Sequence, residues 1–149
     1  EDQIVYSTVE EDIAFGLENL ELKNNEMVRI VEEMLSKLNI KNLAKSNVNM
    51  LSSGQKQLVA LAGVLAMGPE YLVLDEPTTM LDAKNKKNII KIMRDLNEKE
   101  GISIILVTNI LDDLGYANHV VVLKNGSVIF NDKKSKLSKR MLREAGLDD

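Results

Sequence analysis

Two short stretches carry the residue types that could do chemistry. In "YLVLDEP", Tyr71 to Pro77, an apolar run ends in two adjacent carboxylates, Asp75 and Glu76. An apolar run stopped by two acids and a proline is expected to be a strand buried on both faces, and open parallel sheets bind ligands at the carboxyl ends of their strands. A carboxylate there suits Mg²⁺, which takes few carboxylates and keeps much of its water. The next residue points elsewhere and could polarise a water for attack on a γ-phosphate. The same string also reads as a strand-ending turn whose acids are merely capped or solvated.

The second stretch is "LSSGQ", Leu51 to Gln55. Ser52-x-x-Gln55 satisfies a capping box, and a cap requires no ligand. The same helix start gathers free backbone N–H groups, a serine hydroxyl and a positive dipole end, with Gly54 allowing close approach. An anion held by another molecule would fit there.

The elements that must position these stretches follow from periodicity. Thr8-x-x-Glu11 opens a helix ending near Asn19, with Val9, Ile13, Ala14 and Leu17 on one side. Met27, Ile30, Val31, Met34, Leu35 and Leu38 form the stripe of a second helix. The helix after "LSSGQ" is apolar almost all round at Leu58, Val59, Leu61, Ala62, Val64, Leu65 and Ala66, so it is expected to be central. Asp82 can cap a helix with Ile89, Ile92, Met93 and Leu96 inward and Gly101 at its end. "ISIILVT", Ile102 to Thr108, is a second buried strand, so strand, helix and strand make a right-handed parallel βαβ unit. Asn125-Gly126 marks a hairpin with I′ turn chemistry, and a last helix carries Leu137, Met141, Leu142 and Ala145. The fold class is α/β: a helical part over 1–67, then a partial α/β core over 68–149.

With 149 residues and 44% apolar content the chain can build a globular core. Net charge is −4 and no block of like charge is long enough for a nucleic-acid arm, so nucleic acid is not an expected partner. No cysteine is present, which excludes disulfides and thiolate metal sites and fits a reducing compartment. The basic residues Lys133, Lys134, Lys136, Lys139, Arg140 and Arg143 read as a solvated helix face, with contact to anionic lipid headgroups as the lesser alternative, the seven methionines mostly as core filler, and His119 as structural or surface.

The order LSSGQ, LVLDEPTTMLD, IILVT resembles the ATPase domain of ABC transporters, a P-loop NTPase-like fold, across essentially the whole chain. "DQIVYSTVEEDIAFGLENL" and "LAGVLAMGPEYLVLDEPTTMLD" look most like the ATPase subunits of energy-coupling factor and cobalt/nickel importers. The resemblance implies that Ser52, Ser53, Gly54 and Gln55 form the signature motif, which contacts the γ-phosphate of ATP bound to the opposite subunit. It implies Asp75 as the Walker B aspartate on Mg²⁺, Glu76 as the catalytic glutamate, Asp82 as the D-loop aspartate at the dimer interface, and Asn109 as the switch residue. ATP and Mg²⁺ are the implied cofactors. Implied partners are a second ABC ATPase subunit, identical or different, a transmembrane transporter subunit and a substrate-binding membrane subunit. The implied location is cytoplasmic, on the inner face of the cell membrane.

The sequence departs from the family pattern in three places. Ser53 stands where the family has Gly, and a positive φ there would cost roughly 1 kcal/mol. Asn109 stands where the family has His; it can donate a hydrogen bond but carries no proton or positive charge, so either hydrolysis is slowed or the position is less demanding than the family pattern implies. No glycine is followed by lysine, so these 149 residues contain no Walker A frame. Gln3 falls close to the expected Q-loop but a few residues late. The chain is therefore expected to be the C-terminal part of an ABC ATPase, starting just past the Q-loop and inactive alone. The function implied is ATP hydrolysis driving uptake of a metal ion, cobalt or nickel, or of a vitamin. The alternatives are a non-transport ABC ATPase of translation or DNA repair, and a split module that only dimerises.

Overall fold

The computed structural model describes residues 7–79 and 81–147, so Gln3 lies outside the described residues. The chain divides into two compact units, one of Glu1–Val73 with Met80–Ile105 and one of Leu74–Thr79 with Leu106–Asp149.

In the first unit three helices form around the expected stripes. Helix α1 spans Val9–Glu18 and buries Val9, Ile13 and Leu17. At its start Glu11 accepts from the Thr8 hydroxyl and backbone N–H, at 2.7 and 3.0 Å, and from Ser7 Oγ at 3.0 Å. Those bonds, the Thr8 hydroxyl first, hold the Glu11 carboxyl below the usual range. The entry to α1 is strapped to the segment before α3 by hydrogen bonds from Val9 N–H to Ser46 O, Glu10 N–H to Ala44 O and Val48 N–H to Ser7 O. Helix α2, Asn24–Lys37, buries Val31, Met34 and Leu35, and Leu38 follows them inward. Helix α3, Ser53–Ala66, packs on both α1 and α2 and buries seven of its residues, which makes it the central helix the sequence calls for. Val64 is the exception, on an open face.

Strand β1, Tyr71–Asp75, is followed by α4, Ala83–Glu100, and by β2, Ser103–Val107. Gly101 ends α4 at φ 73°, the left-handed cap that glycine adopts without a Cβ penalty. Ile90 rather than Ile92 joins Ile89, Met93 and Leu96 in the core. The strands pair. Ser103 N–H donates to Glu70 O at 2.9 Å and Glu76 N–H to Val107 O at 2.8 Å, joining matching ends, so the two run parallel.

Burial of these strands on both faces is not what the structure has. Tyr71 and Val73 are 69% and 64% exposed, and Ile105 and Val107 are 55% and 50% exposed. Leu72 is buried. Alternate residues of a strand face opposite sides, and among the described residues only one side of the pair is covered.

The second unit holds the hairpin of β3, His119–Lys124, and β4, Ser127–Lys133, antiparallel with an irregularity at Val122/Leu123. Asn125 and Gly126 take φ 49° and 77°, the two positive values a I′ turn demands. The last helix, α5, is only Lys139–Ala145, capped by Ser138 and Gly146, and packs on the hairpin. Leu137 precedes it rather than belonging to it. Among the described residues no helix is long and apolar enough to cross a membrane.

Candidate active site

The start of α3 is built by its own cap. Ser52 N–H donates to Gln55 Oε1 at 2.9 Å and Gln55 N–H to Ser52 Oγ at 3.3 Å, closing the box. Lys56 N–H bonds Ser52 O at 2.9 Å, the first turn of the helix. The cap thus uses the amides of residues 52 and 55 and leaves those of Ser53 and Gly54 at the positive end of the dipole. The capping and anion-binding readings therefore do not compete, since they draw on different N–H groups. Ser53 is an ordinary residue of the first helical turn and has no positive φ, so the strain considered for it does not arise.

Gly54 has a neighbour that the sequence does not reveal. A Cβ at Gly54 would lie 3.2 Å from Asn85 Nδ2, 3.3 Å from Asn85 Cγ and 3.4 Å from Leu81 Cδ2. Asn85 is itself held by Asp82, which accepts from its backbone N–H and from its Nδ2, each at 2.9 Å. Asp82 is the N-cap of α4, so one carboxylate starts that helix and also sets the carboxamide that lies against Gly54. The glycine lets α3 lie close to the entry to α4, where any Cβ would press on the end of the Asn85 side chain. The only hint in the sequence is the Asp82-x-x-Asn85 spacing, which suits a cap.

The other candidate residues belong to the second unit. Asp75 ends β1, and Glu76 follows at φ 46°, a left-handed conformation that costs a non-glycine residue about 1 kcal/mol or more. Three contacts hold it: its N–H on Val107 O, its carbonyl accepting from Thr79 N–H at 3.3 Å, and its Oε2 accepting from Thr79 Oγ1 at 3.3 Å. Both carboxylates are exposed. The bond to Val107 sets the end of β1 beside the end of β2, which leads through Thr108 into Asn109. Asn109 is exposed and sits in a bend. Residues more than thirty positions apart in sequence are thus side by side at one strand edge. Thr79 is the contact here that sequence reasoning missed.

For Mg²⁺ the donor set fits in kind. Asp75 offers one accessible carboxylate at the strand end, and Mg²⁺ on a phosphate substrate takes one or two carboxylates and completes its shell with water and phosphate oxygen. A protein cage of three or more acidic, histidine or cysteine ligands is not found among the described residues.

Comparison with known proteins adds a family pattern to this geometry. The family model described as ABC transporter matches residues 3–79. The energy-coupling factor transporter ATP-binding protein EcfA1 of Lactobacillus gasseri is 39% identical over 99% of this chain and 53% of its own length. That of Clostridioides difficile is 40% identical over 99% of this chain and 54% of its own. The chain spans about half the length of these curated relatives. Among solved structures, cbiO1 of Clostridium perfringens, part of the ABC transporter complex cbiONQ, superposes with a TM-score of 0.85 at 34% identity, covering 98% of this chain and 59% of that one. The dimeric ATP-binding cassette MJ0796, in a post-hydrolysis state bound to ADP and Pi, gives 0.76 at 27% identity over 86% of this chain and 57% of that one.

Proposed function

This chain belongs to the ABC transporter family, and from that premise we propose that it works in the ATP-hydrolysing subunit of an importer of the energy-coupling factor type. The subunit pairs with a second ABC ATPase, identical or different, and sits peripherally on the inner face of the membrane against transmembrane and substrate-binding subunits. Its cargo is a metal ion such as cobalt or nickel, or a vitamin. The observation that carries the reading is the hydrogen bond from Glu76 N–H to Val107 O, which brings the carboxylate pair and Asn109 to one strand edge.

In this reading Glu76 takes a proton from the water that attacks the γ-phosphate, Asn109 donates one hydrogen bond to that phosphate, and Asp75 is the residue that would hold Mg²⁺. Mg²⁺, when bound, supplies charge neutralisation along the phosphates. The amides of Ser53 and Gly54 and the Ser52 hydroxyl face the γ-phosphate of nucleotide carried by the partner subunit, and Asp82 works at the same interface. Gln55 serves through the cap that fixes Ser52.

The test is the full-length gene product purified with its membrane partners. It is expected to co-purify with them and to hydrolyse ATP only with Mg²⁺; a preparation with no Mg²⁺-dependent turnover overturns the reading. Residues 1–149 contain no Walker A frame in their sequence, and isothermal titration of these residues with MgATP is expected to register no binding in the micromolar range. A micromolar Kd there would place the phosphate cradle inside these residues after all.

Asn109 gives a separate expectation. A hydrogen bond from a charged donor is roughly twice as strong as a neutral one, so Asn109→His in the full-length protein should raise kcat about fivefold, the equivalent of about 1 kcal/mol. Unchanged turnover would mean that this position does not limit hydrolysis.

A further inference from the structure

Behind the exposed strand edge lies a buried polar knot. Asp113 is 1% exposed and Thr78 is 2% exposed. Thr78 Oγ1 donates to Asp113 Oδ2 at 2.8 Å, and Thr108 Oγ1 donates to the same oxygen at 2.7 Å. Thr108 Oγ1 in turn accepts from Ile110 N–H at 3.0 Å, and Asp113 N–H donates to Ile110 O at 3.1 Å. A carboxylate oxygen only accepts, so each hydroxyl has its single proton committed to Asp113 Oδ2, and turning either away would leave that buried oxygen with one of its two donors.

The positions of the two threonines give the knot its consequence. Thr78 lies two residues after Glu76, and Thr108 lies immediately before Asn109. One carboxylate, on the 3₁₀ turn Leu111–Tyr116, therefore ties both segments at once. Core packing alone would not require this arrangement, because an apolar cluster of the same shape would fill the space without the cost of burying a charge. Placement of reacting groups is worth more here than bulk stability, since an error near 1 Å costs a factor of about 100 in rate.

We propose that Asp113 is a positioning residue which, through the hydroxyls of Thr78 and Thr108, fixes Glu76 and Asn109 relative to one another for hydrolysis. The proposal rests on the functional reading above. In this scheme Asp113 touches neither nucleotide nor the attacking water and acts through the two threonines.

The experiment is steady-state ATP hydrolysis by the full-length gene product with its partners, comparing Thr78→Val, Thr78→Ser, Thr108→Val and Thr108→Ser, with the folded fraction followed by thermal melting. Each Val variant removes one donor and is expected to lower kcat about tenfold while KM for ATP stays within about twofold. Each Ser variant restores the hydroxyl and should return kcat to within about twofold of wild type. The proposal is overturned by Val variants with unchanged kcat, by Ser variants as slow as Val, or by losses that merely track the folded fraction. Should Thr78→Val not fold, the Thr108 pair, on a half-buried residue, decides the matter alone. Absence of turnover in the wild type removes the functional reading itself, whereas wild-type turnover with indifferent Val variants removes only the role of Asp113.

Discussion

Glu76→Gln in the full-length gene product is expected to lower kcat for ATP hydrolysis by about 10²- to 10³-fold while KM stays within about threefold. The size of the loss follows from what the substitution changes and what it leaves alone. The amide matches the carboxylate in shape, keeps an oxygen that can accept from Thr79 Oγ1, and does not touch the backbone bond to Val107 O that positions the residue. Only the capacity to take a proton and the negative charge are removed. Because Glu76 is exposed, no buried partner is left unsatisfied, and the melting temperature should move by no more than a surface substitution moves it. The measurement is kcat and KM at saturating Mg²⁺. A fall confined to KM would make Glu76 a ground-state binding residue, and unchanged turnover would remove it from the chemistry.

Elements whose stabilising contacts are local in sequence were legible in the residues themselves. The stripes of α1 to α3 declare their buried faces, and Val9, Ile13 and Leu17 are fully buried as their spacing requires. Asn125-Gly126 specifies its own turn, because few other pairs accept two positive φ values. The two parallel strands were legible as strands but not in their exposure. Tyr71, Val73, Ile105 and Val107 state what those positions would bury against, and the sequence pattern is silent on whether the described chain supplies it. The same distinction runs through the candidate site. The Ser52 and Gln55 cap and the Asp82 cap are contacts at i, i+3 and could be read directly. The approach of Asn85 to Gly54 and the bond from Thr78 to Asp113 link distant positions, 35 residues apart in the second case, and depend on tertiary packing. Asp112 and Asp113 look alike in sequence, yet the first is exposed and the second is buried and holds two hydroxyls. No local pattern separates them.

Gly54→Asp is expected to leave the protein folded and to lower kcat at least about 100-fold, through a conflict of charge rather than of space. At the second position of α3 an added carboxylate lies at the positive end of the helix dipole, which stabilises it by a few tenths to about 1 kcal/mol. The steric cost falls on the carboxamide of Asn85, 3.2 Å from the new Cβ, the far end of a side chain that can give ground at the expense of one hydrogen bond to Asp82. These effects are of similar size and opposite sign, so the melting temperature should change little. The catalytic consequence is larger. The aspartate occupies the field of the Ser53 and Gly54 amides, and two like charges about 4 Å apart at an effective dielectric near 20 repel by about 4 kcal/mol, which exceeds the roughly 2.7 kcal/mol that a factor of 100 requires. Gly54→Ala separates the two terms, since it meets Asn85 in the same way without the charge and should cost no more than about tenfold. Equal losses in Ala and Asp would assign the effect to packing against Asn85, and wild-type rates in Asp would mean that this helix end meets no phosphate. If α3 serves nucleotide held by the other subunit, as proposed, then in a dimer of two different ATPases substitution in one subunit alone should leave ATP affinity at that subunit's own site unchanged and lower hydrolysis at the opposite site.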